Sequence, residues 1–478
     1  MTRDEPTTLD QIVDRDRDEL LATVAESVRI ASVKAEARPG MPFGEGVHRA
    51  LEHALAVGER LGFEVGQLDG YAGWIDYGQG EELIGVLSHV DVVPVGKESD
   101  WNHPPFGAEI ANGVMYGRGT ADDKGPLFSS LYGLKAMRDA GLRTSKRIRF
   151  VLGTDEESGW GGIKRYLETE EVPSRGFSPD GMFTVVNREK GGNVFRWVGS
   201  DASRAATGVR LCALHGGTAP NNVPDEASAR LCGTAAAHER IRAAIVAATD
   251  ERPNASFEMD LENDGDTVVI HSKGRSAHAM CPEKGINAVA ELLRLLSKLD
   301  LEDDGATRFA SLLDRRIGFD TTGELLGMAW SDEASGALTV NLGQIAVTAN
   351  EAVAVLDIRS PVSFPCCDVL QQMQTVLGEE ETDLDLEVQK QSEPLYVPDE
   401  DPLIQTLSRV YTRVTGREAI LHAIGGGTYA RAIRDCVCFG AVYPGDEITV
   451  HRPNERASIE QMILNAKVYG HALYELAK

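Results

Sequence analysis

Basic residues are in short supply in this chain. Lysine and arginine total 48 against 74 aspartate and glutamate, leaving a formal net charge of −26 over 478 residues. Such a deficit argues against a nucleic-acid backbone or an anionic membrane as partner, since both are bound through positive charge. Long hydrophobic runs are lacking too. No stretch approaches the ~20 continuous apolar residues of a membrane-spanning helix. The opening segment, MTRDEPTTLDQIVDRDRDELL, has neither the basic start nor the apolar core of a secretory signal. Cysteines are few and odd in number, seven in all. That fits reduced thiols better than a disulfide framework, and the polar, acidic opening segment predicts a cytoplasmic protein. The pair Cys436 and Cys438 lacks the usual two-residue gap of a zinc motif and is set aside.

What remains is a globular composition, 42% hydrophobic and 26% charged, in a chain long enough for two or three domains. Up to about residue 190, helical and strand-like segments alternate. Helical stretches near 18–33 and 46–62 precede the apolar strand LIGVLSHVDVVP. KGPLFSSLYGLKAMRDAG follows with leucines at helical spacing, then a second buried strand in RIRFVLGTDEE, from Arg147 to about Thr154. This alternation predicts a twisted, mostly parallel sheet with helices on both faces. From about 193 the character shifts to strands such as DTVVIHSKGRSAHAM and EAVAVLDIRSP with longer polar connections. Helical periodicity returns near 401–416 and after Ala457. The expected fold class is therefore α/β with two domains. Residues 1–192 and 393–478 form a discontinuous catalytic domain, and 193–392 an inserted α+β lid.

The chemistry concentrates in short segments. His89 and Asp91 lie two apart at the end of a strand and so share a face, ~7 Å apart. Asp122 and Asp123 sit between glycines where a helix opens. Asp155, Glu156 and Glu157 follow the second buried strand, Asp180 stands in a turn, and His451 lies near the C-terminus. Each has a plain structural alternative. Asp122 suits a helix N-cap, Glu156 and Glu157 a surface pair, and Asp180 a turn. Several carboxylates converging at one sheet edge would repel unless protonated or neutralised by cations. Two imidazoles and three carboxylates suit zinc or manganese, and one bridging carboxylate would hold two ions ~3.5–4 Å apart.

LSHVDVVP, YGRGTADDKGP, GTDEESG, SPDG and HRPNER resemble, in order and spacing, the M20 metallopeptidase family, which includes aminoacylase, carboxypeptidase G2-type enzymes and succinyl-diaminopimelate desuccinylase. Within it the chain is most similar to bacterial dipeptidases of the PepV and Sapep type, over essentially its whole length. The resemblance implies His89 and Asp180 as terminal ligands of one metal, Glu157 and His451 of the other, and Asp122 as the bridge. It implies Glu156 as general base and Asp91 as the residue that orients His89. It also implies a strained turn at Asp122–Asp123, often with a non-proline cis bond. In the middle segment it points to His278 for the tetrahedral intermediate and to Asn222 and Arg359 for the substrate. Gly426, Gly427 and Thr428 in IGGGTYAR are candidates for carboxylate capture through converging N–H groups. Each of these has its alternative as well: a helix cap for His278, a salt bridge for Arg359, a tight turn for the glycines.

The expected cofactors are two divalent ions, zinc first, with manganese or cobalt as alternatives. The expected partner is a small peptide, and the expected state a monomer, with a homodimer as the alternative. A deacylase or desuccinylase of N-acyl amino acids shares the metal residues and remains open. So does a catalytically inactive binding protein on the same fold.

Overall fold

The computed structural model describes residues 7–199, 208–233, 237–262, 266–380 and 384–478, so the first six residues of the N-terminal segment lie outside it. The chain divides into two compact units. The first comprises 1–187, 397–422 and 428–478, the second 188–396 with 423–427.

The first unit begins with α1 (Thr8–Arg15), α2 (Arg17–Val28) and α3 (Glu45–Arg60) and continues through β1 (Glu64–Leu68), β2 (Ala72–Tyr77) and β3 (Leu83–His89). Then come α4 (Lys124–Asp139), β4 (Arg147–Gly153), α5 (Gly161–Thr169), β5 (Arg175–Ser178) and β6 (Val185–Glu189), the last of which leads into the second unit. That unit holds β7 (Gly191–Gly199), β8 (Arg210–Gly216), β9 (Glu226–Cys232), α6 (His238–Glu251), β10 (Ser256–Leu261) and β11 (Thr267–Lys273). It continues with α7 (Ala288–Leu296), α8 (Gly305–Arg316), β12 (Thr339–Val347), β13 (Ala352–Ser360), α9 (Cys366–Glu379) and β14 (Asp385–Ser392). The chain returns to the first unit with α10 (Pro402–Thr415), β15 (Cys436–Cys438) and α11 (Ile459–Ala477).

Seven strands of the nine-stranded first sheet run in the order β1-β2-β4-β3-β5-β15-β6. Its four central strands, β4, β3, β5 and β15, are parallel. Its flanks are antiparallel, so the sheet is mixed. The parallel part is where helices connect the strands, as such crossovers require. Every residue of β3 is buried, which explains its unbroken apolar run. The second sheet, β10-β11-β9-β8-β12-β13-β7-β14, is antiparallel throughout. Each unit has its own hydrophobic core.

The expectation of reduced thiols is corrected at one place. Cys212 and Cys232 form a disulfide with Cα atoms 6.1 Å apart. A bulge between Leu211 and Ala213 takes Cys212 out of the ladder, on the strand that pairs with that of Cys232. The other five cysteines are free. Among the described residues no helix is long and apolar enough to cross a membrane.

Candidate metal centre

Strands β3, β4 and β5 run parallel, so their C-terminal ends meet one edge of the first sheet. His89 is the last residue of β3. Glu156 and Glu157 follow β4, and Asp180 follows β5 by two residues. Asp122 reaches the same place from the segment before α4. The helix N-cap proves to be Asp123, whose side chain makes no capping bond, and the peptide between Asp122 and Asp123 is cis. His451 comes from the loop before α11, with a left-handed φ of 61°.

The two oxygens of Asp122 face different partners. Oδ1 lies 3.1 Å from Nε2 of His89, and that nitrogen lies 3.6 Å from Oδ2 of Asp180. Oδ2 lies 3.0 Å from Nε2 of His451, which is 3.1 Å from Oε2 of Glu157. His89 is fully buried, whereas the His451 side chain is 53% exposed. Nε2 of His89, Oδ1 of Asp122 and Oε1 of Glu157 are buried and lack a partner in hydrogen-bond geometry. His89, Asp122 and Glu157 also offer ligand atoms that all lie within 4.8 Å of one another. Buried polar atoms are normally satisfied. Lone pairs facing one another without a shared hydrogen fit a cation between them.

Protonation reports the same crowding. Burial works against a charged His89, but the carboxylates of Asp122, Asp180 and Asp91 outweigh it and hold the imidazole well above the usual histidine range. The carboxylates of Asp122 and Glu157 push His451 up to about 11. Burial, then the charge of Asp122, raise Glu157 and Asp180. Burial raises Glu156 well above its ordinary value, with the charges of Asp180, Glu157 and Asp122 adding. Burial also opposes ionisation of Asp122, yet the two histidines hold it below the carboxylate range. The imidazoles supply the positive charge that divalent ions would bring.

Asp91 divides its work in a way its spacing did not show. The Nδ1 of His89 lies 3.0 Å from the backbone oxygen of Asp91 and 3.5 Å from its carboxylate. Donation from Nδ1 to that carbonyl frees Nε2 for a metal. The Asp91 carboxylate accepts the backbone N–H groups of Glu156 and Glu157, each at 3.1 Å.

Two further carboxylates matter here: Asp123, expected to be structural, and Glu455, which was overlooked. Asp123 accepts from the Ser88 hydroxyl and, at 3.2 Å, from the backbone N–H of His89. Glu455 accepts from Arg118 and from the backbone N–H groups of Gly119 at 2.9 Å, Ala121 at 3.0 Å and Asp122 at 3.3 Å. Burial and the charge of Asp122 push Glu455 up to about 7, against the pull of Arg118. Both acids lie inside segments singled out above, but side-chain spacing does not show which carboxylate will face main-chain amides.

The middle-segment candidates belong to the second unit. Asn222 and His278 form an antiparallel bridge, flanked by Val223 N–H donating to the Ala277 carbonyl at 2.8 Å and Ala279 N–H to that of Asn221 at 2.9 Å. Nδ1 of His278 accepts from the N–H of Met280 at 3.1 Å. Gly425 packs so closely that a Cβ there would lie 2.7 Å from the Cβ of Met280, whereas Gly426 has open space around it. Arg359 donates through Nε and Nη2 to the two oxygens of Asp357, at 2.5 and 2.6 Å, so the salt-bridge alternative is realised. Thr428 belongs to the first unit, where its side chain accepts from the N–H of Ala430.

The model for peptidase family M20/M25/M40 matches residues 85–475. A Bacillus subtilis (strain 168) protein named "Putative dipeptidase YtjP" is 37% identical over 471 residues, 97% of this chain and 98% of its own. A "Putative dipeptidase" of Staphylococcus epidermidis is 32% identical, over 94% of each chain. Among solved structures, human carnosine dipeptidase 1 shares the fold with a TM-score of 0.57 at 15% identity, over 98% of this chain and 99% of that one.

Proposed function

The chain belongs to peptidase family M20/M25/M40, and we propose that it hydrolyses the amide bond of dipeptides at a centre of two divalent metal ions. The observation that carries this reading is the split of Asp122, one oxygen toward His89 and the other toward His451 and Glu157. His89 and Asp180 would hold one ion, Glu157 and His451 the other, and Asp122 would serve both. The donor set of imidazoles and carboxylates favours zinc, with manganese and cobalt suited to the same ligands. When bound, the ions lower the pKa of a water toward ~7 and polarise the scissile carbonyl.

Glu156 takes a proton from the attacking water and delivers it to the leaving amine. Asp91 keeps Glu156 and Glu157 in register through their main-chain amides, so base and ligand keep their separate aims. His278 donates to the developing oxyanion. Asn222 and Arg359 hold the substrate, Arg359 aligned by Asp357 with its Nη1 left for a carboxylate. Main-chain N–H groups of Gly426, Gly427 and Thr428 are the second candidates for holding a substrate carboxylate.

The test is metal-reconstituted activity on a panel of dipeptides, tripeptides and N-acyl amino acids. Cleavage of dipeptides is expected; cleavage of N-acylated compounds alone would overturn the reading. Glu156→Ala should keep its metals and lose about 10²–10⁴-fold in kcat, the span of general base catalysis.

A further inference from the structure

The metal-facing side chains sit on separate segments, and buried carboxylates tie those segments together. Asp123 holds the main chain at His89, and Asp91 holds it at Glu156 and Glu157. Glu455 holds the stretch that carries Asp122, and it has no task in the hydrolytic reading. Its side chain is wholly buried, and a carboxylate only accepts. Four donors converge on it: Arg118 on Oε2, and the amides of Gly119, Ala121 and Asp122 on Oε1. Buried amides in an irregular segment need acceptors from elsewhere, and Glu455 provides one for all three. The two segments also run side by side. Residues 456–458 pair with 114–116, and the N–H of Gly117 donates to the Glu455 carbonyl at 2.9 Å. His451 lies four residues before Glu455.

We propose that Glu455 is a positioning residue, whose grip on the main chain of residues 119–122 fixes where the two Asp122 oxygens point and sets them in register with His451. This rests on the two-metal reading above. The experiment titrates full-length wild type, E455Q and E455D with Zn2+ against a chromogenic chelator, and separately melts each protein in excess chelator. E455Q puts an amide NH2 among N–H donors. E455D keeps a negative charge beside Arg118 but withdraws the oxygens by one methylene, so it serves if E455Q does not fold. The expected result is a 10–100-fold loss of metal affinity in a variant whose chelated form is still folded. Wild-type affinity in both variants would overturn the proposal, as would a loss confined to variants already unfolded in chelator. Wild-type protein that takes up no metal in the same titration would overturn the metal centre itself, so the two failures are distinct.

Discussion

Asp91 shows what a sequence hides at the scale of one residue. Its spacing from His89 suggests a carboxylate aimed at the imidazole, but the main-chain carbonyl takes that position while the carboxylate grips two amides across the sheet edge. His89, Asp122, Glu157, Asp180 and His451 stand out through the resemblance of their segments to the M20 family, since residue type and spacing alone leave each a plain structural alternative. The grips of Asp91, Asp123 and Glu455 depend on loop backbone conformation, which residue spacing does not encode. Asp91→Asn replaces one acceptor oxygen with an NH2, so one of the two N–H groups it holds loses its partner, at about 1–3 kcal/mol. The variant is expected to lose both metal occupancy and turnover, by about 10–100-fold in affinity or rate. Elemental analysis beside steady-state kinetics checks this, and the double loss separates it from Glu156→Ala, which should lose turnover alone.

At the scale of elements, periodicity carried far. Helical spacing from Lys124 predicts a helix stopped by Gly141, and α4 runs Lys124–Asp139. RIRFVLG is β4 in full. EAVAVLDIRSP lies in the stretch set apart by its polar connections, yet β13 is buried at all but one position, and its residues 352–356 are apolar without interruption. The antiparallel flanks of the first sheet were equally hidden, since pairing direction leaves little trace in a short strand. Contacts between elements are hidden too. A glycine inside a helix costs roughly 0.5–1 kcal/mol against alanine, so two in facing helices need a reason. Gly133 of α4 would place a Cβ 2.5 Å from the Ala466 carbonyl oxygen and 2.7 Å from the Gly470 nitrogen, both on α11. The helix backbones meet there. Gly133→Ala is therefore expected to destabilise the protein by about 1–3 kcal/mol, the cost of overpacking, despite its better helix propensity. Chemical denaturation measures this, and metal affinity of the folded variant should not change.

For the molecule as a whole, the metal centre makes stability depend on pH in a direction that can be worked out. Glu156, Glu157, Asp180, His89 and His451 all have folded-state pKa values above their ordinary ones. The metal-free folded protein therefore binds these protons more tightly than the unfolded chain does. Stability from a raised pKa is fully present below the unfolded value and is lost as pH rises through the folded one. The carboxylates begin this loss above their ordinary values of 4.5 for glutamate and 3.8 for aspartate. The histidines begin above 6.5, and for His451 the loss continues to about 11. Asp122 and Lys124, both held low, run the other way, whereas Asp123 and Glu455 are raised like the other five. Bound cations replace the protons and remove the repulsion, so the loaded protein should escape the loss. The melting temperature of the first unit in chelator is thus expected to fall between pH 5 and pH 9, while that of the metal-saturated protein stays nearly level. The gap at metal concentrations about 100 times Kd corresponds to about 2.7 kcal/mol per site. Scanning calorimetry across that range decides it: a gap that is constant or narrows toward high pH would show that protons and metal ions do not compete for these side chains.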